Sequence, residues 1–245
     1  MDLELLAGKR ALGCATPEDH IAWAERLLAE GTDMDDVQIL ASLGLDRRPD
    51  AQEVEGHFRR SLRALGLELP ARQLALLTYA SRVCRQIITG ELPPEDGLRQ
   101  LETLHAEGRD EPLFGIWGEL AEDIDLLTGG DAPFFNSGLE RTNTGDFIKR
   151  VARQYLRLQE ADLPGDFLRR SLCTECGHTG RERPHRSEIR WLPASIFRLL
   201  FRRAPDTIGV CERCGAARLL PMHDFATRER YLAQTTGSTM TTTRN

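Results

Sequence analysis

Two C-x-x-C-G segments, Cys173-Thr174-Glu175-Cys176-Gly177 and Cys211-Glu212-Arg213-Cys214-Gly215, constrain this chain more than any other feature. The spacing brings two sulfurs of one tight turn within reach of a single ion. Glycine after the second cysteine permits the left-handed backbone that turns amides toward the sulfurs. Two such turns supply four thiolates, the closed tetrahedral donor set that structural Zn²⁺ prefers. A redox C-x-x-C or two disulfides would use the same residues, but a duplicated turn with glycine in the same place argues against both. The expectation is one zinc ion per chain on Cys173, Cys176, Cys211 and Cys214. A catalytic zinc keeps a position open for water, and four cysteines leave none. His178 and His185 lie close by in sequence and could replace a sulfur. With four cysteines available, both read as surface histidines.

The region around these turns, residues 166–233, resembles a four-cysteine zinc ribbon. It departs from a minimal ribbon in the 34 residues between the two turns, 177–210, which imply an insertion. That stretch carries Arg181, Arg183, Arg186 and Arg190, then Trp191 and an apolar run through Ile196, Phe197, Leu200 and Phe201. It can pack the module onto a neighbouring domain or form a nucleic-acid or partner surface, and the sequence leaves both open.

Charge divides the chain at about the same place. Residues 1–165 hold 18 Lys+Arg against 30 Asp+Glu, and residues 166–245 hold 14 against 8. The first part therefore repels polyanions and the second tolerates them. No run of about 18 apolar residues is present, so no membrane span is expected. The N-terminus has acids among its leucines and no basic-then-apolar pattern, so secretion is not expected. Free thiols together with a thiolate metal site suit a reducing cytoplasm.

Residues 1–165 read as an acidic α-helical domain of about seven helices, punctuated by caps and glycines. Thr16-Pro17-Glu18-Asp19 starts a helix with Ile21, Ala24, Leu27 and Leu28 inward and Trp23 beside them. Asp33 starts a second with Val37, Leu40 and Leu43. Asp50 and Glu53 have capping-box spacing ahead of Val54, Phe58, Leu62 and Leu65. Pro70 opens a longer helix through Leu74, Leu77, Cys84, Ile87 and Ile88. Segments 94–104 and 113–127 repeat the pattern, and a seventh helix over 146–159 turns Phe147, Val151, Tyr155 and Leu158 inward. Between them, 129–145 is a long loop whose Phe134 and Phe135 either anchor it to the core or form an exposed binding tip. Leu163-Pro164-Gly165 marks a domain boundary. The tail, 234–245, is threonine-rich and poor in apolar residues, which predicts disorder.

No nucleophile elbow, phosphate loop, dinucleotide fingerprint or H-E-x-x-H motif is present. The acids Glu119, Glu122, Asp123 and Asp125 read as a solvated helix face. A non-enzymatic role is favoured, and an enzyme stays open. Residues 39–45 followed by 54–67 resemble the helix-turn-helix of response regulators. Here the link, Asp46 to Glu53, is longer than that family's turn, and Glu53 and Glu55 would face phosphate at the start of the recognition helix. The stretch therefore reads as a plain helical hairpin, with the helix-turn-helix as the alternative. The stretches Trp23-Ala24-Glu25-Arg26-Leu27-Leu28 to Ile39-Leu40-Ala41-Ser42-Leu43, and Cys84 to Gly97 with Trp117 and Asp123-Ile124-Asp125, resemble small α-helical immunity proteins encoded beside bacterial polymorphic toxins. That resemblance implies a cytoplasmic bacterial protein that acts by binding another protein, an immunity or accessory protein of a toxin or defence system. The competing expectation is a nucleic-acid-binding regulator that uses the basic zinc module.

Overall fold

Apolar side chains at three- and four-residue spacing leave water together, so each stripe becomes the buried face of a helix. The computed structural model describes residues 1–108, 111–186 and 207–239. It is mainly helical, with a small sheet-containing C-terminal part. Two compact units emerge: Met1–Ala121 with Gly145–Leu156, and Glu122–Thr144 with Arg157–Asn245. From sequence the boundary was expected at 163–165. The reason for the different course is local: the 129–145 loop is bonded within the second unit, as described below.

The first unit carries α1 (Leu3–Ala11), α2 (Pro17–Ala29), α3 (Asp35–Ser42), α4 (Ala51–Ala64), α5 (Arg72–Thr89) and α6 (Pro94–Glu107). It also takes the first part of α7 (Gly115–Gly129) and most of α8 (Thr144–Gln159). Caps form at the predicted starts of α2 and α4, whereas α3 begins after Met34 rather than at Asp33, with no side-chain cap, and α5 begins at Arg72, two residues past Pro70. Thr16 and Asp19 make a reciprocal capping box with Pro17 at the first turn of α2. Asp50 accepts from the amides of Gln52 and Glu53 at the start of α4. Gly90 closes α5 in the left-handed conformation, φ +83°. Leu6, Ile21, Trp23, Val37, Leu40, Val54 and Phe58 form one buried cluster of α1 to α4. On α8, Phe147, Val151, Tyr155 and Leu158 are all buried. The stripe on α5 is offset from the expected one: Leu76, Tyr79, Ala80, Val83, Cys84 and Ile87 face inward, and Leu74 is exposed.

Helix α1 has no counterpart in the expected seven. It is short, but Asp2 caps it by accepting from the Leu5 amide, and it packs along α5. The approach is close because position 8 is glycine: a Cβ there would run into the Tyr79 ring.

Among the described residues, the second unit holds a single-turn 3-10 segment at Phe167–Arg169, five short strands and a closing helix. The strands are β1 (Ser171–Cys173), β2 (Thr179–Gly180), β3 (Glu182–Arg186), β4 (Thr207–Cys211) and β5 (Leu219–Pro221). They make an antiparallel sheet in the order β2-β1-β5 and a β3-β4 hairpin. The hairpin pairs Glu182 with Cys211 at one end and Arg186 with Thr207 at the other. The arms account for part of the 177–210 insertion; Arg190, Trp191, Ile196, Phe197, Leu200 and Phe201 lie outside the described residues. Helix α9 runs Phe225–Thr239. It buries Phe225, Arg228 and Leu232. Residues 234–239 are therefore helical where composition predicts disorder, and 240–245 lie outside the described residues. Among the described residues, no helix is long and apolar enough to cross a membrane.

Candidate metal centre

Each C-x-x-C-G segment folds into the same turn, set by the same backbone bonds. In the first, the Gly177 amide donates to the Cys173 carbonyl (3.0 Å) and the Cys173 amide to the His178 carbonyl (2.9 Å). In the second, Gly215 donates to Cys211 (2.9 Å) and Cys211 to Ala216 (2.8 Å). Both glycines are left-handed, φ +69° and +75°. The first turn joins β1 to β2, and the second joins β4 to β5. Pairing of β1 with β5 in the register Cys173–Leu219 sets one turn against the other.

The result is one cluster. The sulfurs of Cys173, Cys176, Cys211 and Cys214 all lie within 4.8 Å of one another. Cys173 Sγ is 3.6 Å from Cys214 Sγ, and Cys176 Sγ is 3.8 Å from Cys211 Sγ. These separations rule out disulfides, whose sulfurs sit at about 2.05 Å. They fit a tetrahedron around one ion, because metal–sulfur bonds of about 2.3 Å give edges of about 3.8 Å. The four cysteines expected from sequence are thus brought together, in a donor set that could hold a metal ion.

Electrostatics of the sulfurs point the same way. Amides of Cys176 and then Glu175 draw the Cys173 thiol down to about 7, against an opposing effect of burial. Amides of Cys214 and Arg213 lower Cys211 likewise. At Cys214 the Ala216 amide pulls down, but the neighbouring sulfurs and burial hold the thiol up at about 12. Four sulfurs this close cannot all carry charge by themselves; a bound dication would deprotonate them together.

The remaining candidates fall elsewhere. His178 is not among the clustered ligands; its Nε2 lies 2.9 Å from Glu212 Oε1 and ties one turn to the other. Gly180 makes room for that bridge, since a Cβ there would meet the Glu212 carboxylate. The side chain of His185 lies outside the described residues. Cys84 is buried and Cys14 exposed, both as free thiols.

One acid expected on a solvated face is instead buried. Asp123 is fully enclosed. Its carboxylate accepts from the amides of Phe134 (2.5 Å), Phe135 (2.9 Å) and Asn136 (2.7 Å), and from Asn136 Nδ2 (2.8 Å). Asp224 extends the network by accepting from the Ser137 hydroxyl (2.6 Å) and capping α9 through the Thr227 amide (2.9 Å). The loop held this way leaves Phe134 exposed at 75%, edge-on to Phe135, which in turn meets His223. The sequence did carry a signal: Ile116, Leu120 and Asp123 share one helical stripe, spaced four and three apart.

Compared with known proteins, the chain matches no family model, no curated protein and no solved structure.

Proposed function

We propose that this chain is a non-enzymatic protein-binding module braced by one structural zinc ion in a ribbon-like C-terminal unit. The observation that carries the reading is Phe134. An exposed aromatic normally wanders, and here its loop is locked by a buried carboxylate that accepts four N–H groups. A rigid aromatic anchor loses little conformational entropy when a partner covers it. Zinc is the metal of choice because a closed four-thiolate tetrahedron suits it and offers no site for a reacting water. The acidic balance of residues 1–165 suits a basic partner. Together with the resemblance to immunity proteins, it makes a toxin or defence protein encoded beside this chain the first partner to try.

Three arginines of the second unit are already engaged. Arg170 and Arg181 both reach Asp166 at 2.7 Å. Arg228 is buried against the Met222 and His223 carbonyls. These three offer little to a phosphate. Calorimetry of the full chain with the neighbouring gene product tests the proposal. Phe134→Ala should weaken binding by about 2 kcal/mol or more with an unchanged melting temperature. Equal binding by the variant would sink the anchor role. Duplex binding that falls steeply with salt would replace it with the nucleic-acid reading.

A further inference from the structure

A second feature, independent of the metal and of Phe134, lies in the first unit. A cleft of about 320 Å³ opens between the α1–α2 link and the start of α4. Its polar wall is Arg10, His20 and Glu55, and its apolar wall includes Ala15, Pro17 and Val54. The size is at the small end of ligand sites, about 300–1,000 Å³.

Arg10 is the centre of this wall. Its end-on edge is spent on Glu55: Nη1 donates to Oε2 (2.6 Å) and Nη2 to Oε1 (2.9 Å). Nη1 also lies 2.6 Å from His20 Nε2. His20 Nδ1 sits 2.7 Å from the Thr16 carbonyl, so it must carry the ring proton, leaving Nε2 to accept from Arg10. One guanidinium face is covered by the Phe58 ring, 4.8 Å away. What remains is the side-on edge, Nε–H and the second Nη2–H, parallel donors with no partner among the described residues. That edge matches the two oxygens of a carboxylate.

The groups around Arg10 are engaged with one another rather than with its side-on edge. Glu55 also accepts from Arg59 Nε at 2.6 Å, so one carboxylate serves two guanidinium groups. Burial holds His20 below its ordinary value and hence neutral. The nearby acids are engaged: Asp19 with Lys9 at 2.6 Å, and Asp50 with the first amides of α4.

We infer that the cleft binds a small monocarboxylate, with its oxygens on the Nε–Nη2 edge of Arg10 and its short alkyl body against Ala15, Pro17 and Val54. The test is titration of the full chain with propionate and butyrate, followed by amide NMR shifts, with butyramide and inorganic phosphate as comparisons. The carboxylates should shift signals of the α1–α2 link and α4 saturably. Butyramide should bind about tenfold or more weakly, lacking the charge-assisted pair. Arg10→Lys keeps the charge but loses the fork, and should cost about tenfold in affinity. Ala51→Phe, which fills the cleft and leaves the guanidinium in place, should abolish the shifts. It also decides the matter if Arg10→Lys does not fold. No saturable response, an undiminished response in Ala51→Phe, or phosphate binding as well as butyrate would each overturn the inference.

Discussion

A carboxylate taken out of water must find hydrogen-bond donors for its lone pairs, and Asp123 finds four in one loop. Asp123→Ala strips those amides of their acceptor in a buried place. The expected cost is about 3–5 kcal/mol in chemical denaturation, because several buried donors are orphaned at once. Phe134→Ala should cost less than about 0.5 kcal/mol, as expected for an exposed side chain. The contrast between neighbours separates a residue that builds the loop from one the loop displays. At the metal centre, Cys→Ser at any of Cys173, Cys176, Cys211 or Cys214 should remove zinc from the purified protein by elemental analysis. Retention of full zinc, or iron in its place, would count against the assignment. The four clustered cysteines were legible because C-x-x-C-G is a local pattern with a local geometry. Asp123 was not, because its partners lie in a different segment and its helix is rich in acids that do face water.

At the scale of elements, α1, α2 and α4 are joined by Arg10, His20 and Glu55 as well as by their apolar cluster. This gives the unit a defined response to acid. His20 faces Arg10, Asp19 and Glu55 and is held below its free value of 6.5, first by burial. The unfolded chain therefore binds this proton more readily than the folded one. Stability contributed by neutral His20 is full above about 6.5 and declines as pH falls below it. Glu55 is held down at about 2, first by its bond to Arg10, against an ordinary 4.5. Its contribution is full above 4.5 and is lost as pH falls toward about 2. Urea midpoints from pH 8 to about 3 should fall in two stages, and Glu55→Gln should remove much of the lower one. Where α1 crosses α5, Gly8→Ala should cost about 1–3 kcal/mol by overpacking against Tyr79. A thermal melt of that variant matching the parent would show that α1 can shift at no cost.

For the whole molecule, the metal and the helices should separate experimentally. The buried cluster of α1 to α4 contains no metal ligand, so chelation should unfold the strands around the sulfurs while most helical circular dichroism survives. Loss of all helical signal on chelation would instead mean one shared core. What the sequence by itself determined is whatever a short window dictates: seven helices from caps and stripes, and one four-cysteine cluster from two glycine-terminated turns. Capping and periodicity act within one or two turns, so they can be read without the rest of the chain. The tertiary structure alone decided the remainder. Helix α1 shows no clear apolar stripe, and it stays because α5 packs along it and Leu6 joins the α1–α4 cluster. The threonine-rich start of the tail is helical as the end of α9, whose buried face begins at Phe225. The 129–145 loop belongs with the C-terminal strands because Asp123 and Asp224 bond it there. For α1 and the loop the deciding free energy comes from burial or hydrogen bonds between residues far apart in the chain, and no local window contains both partners.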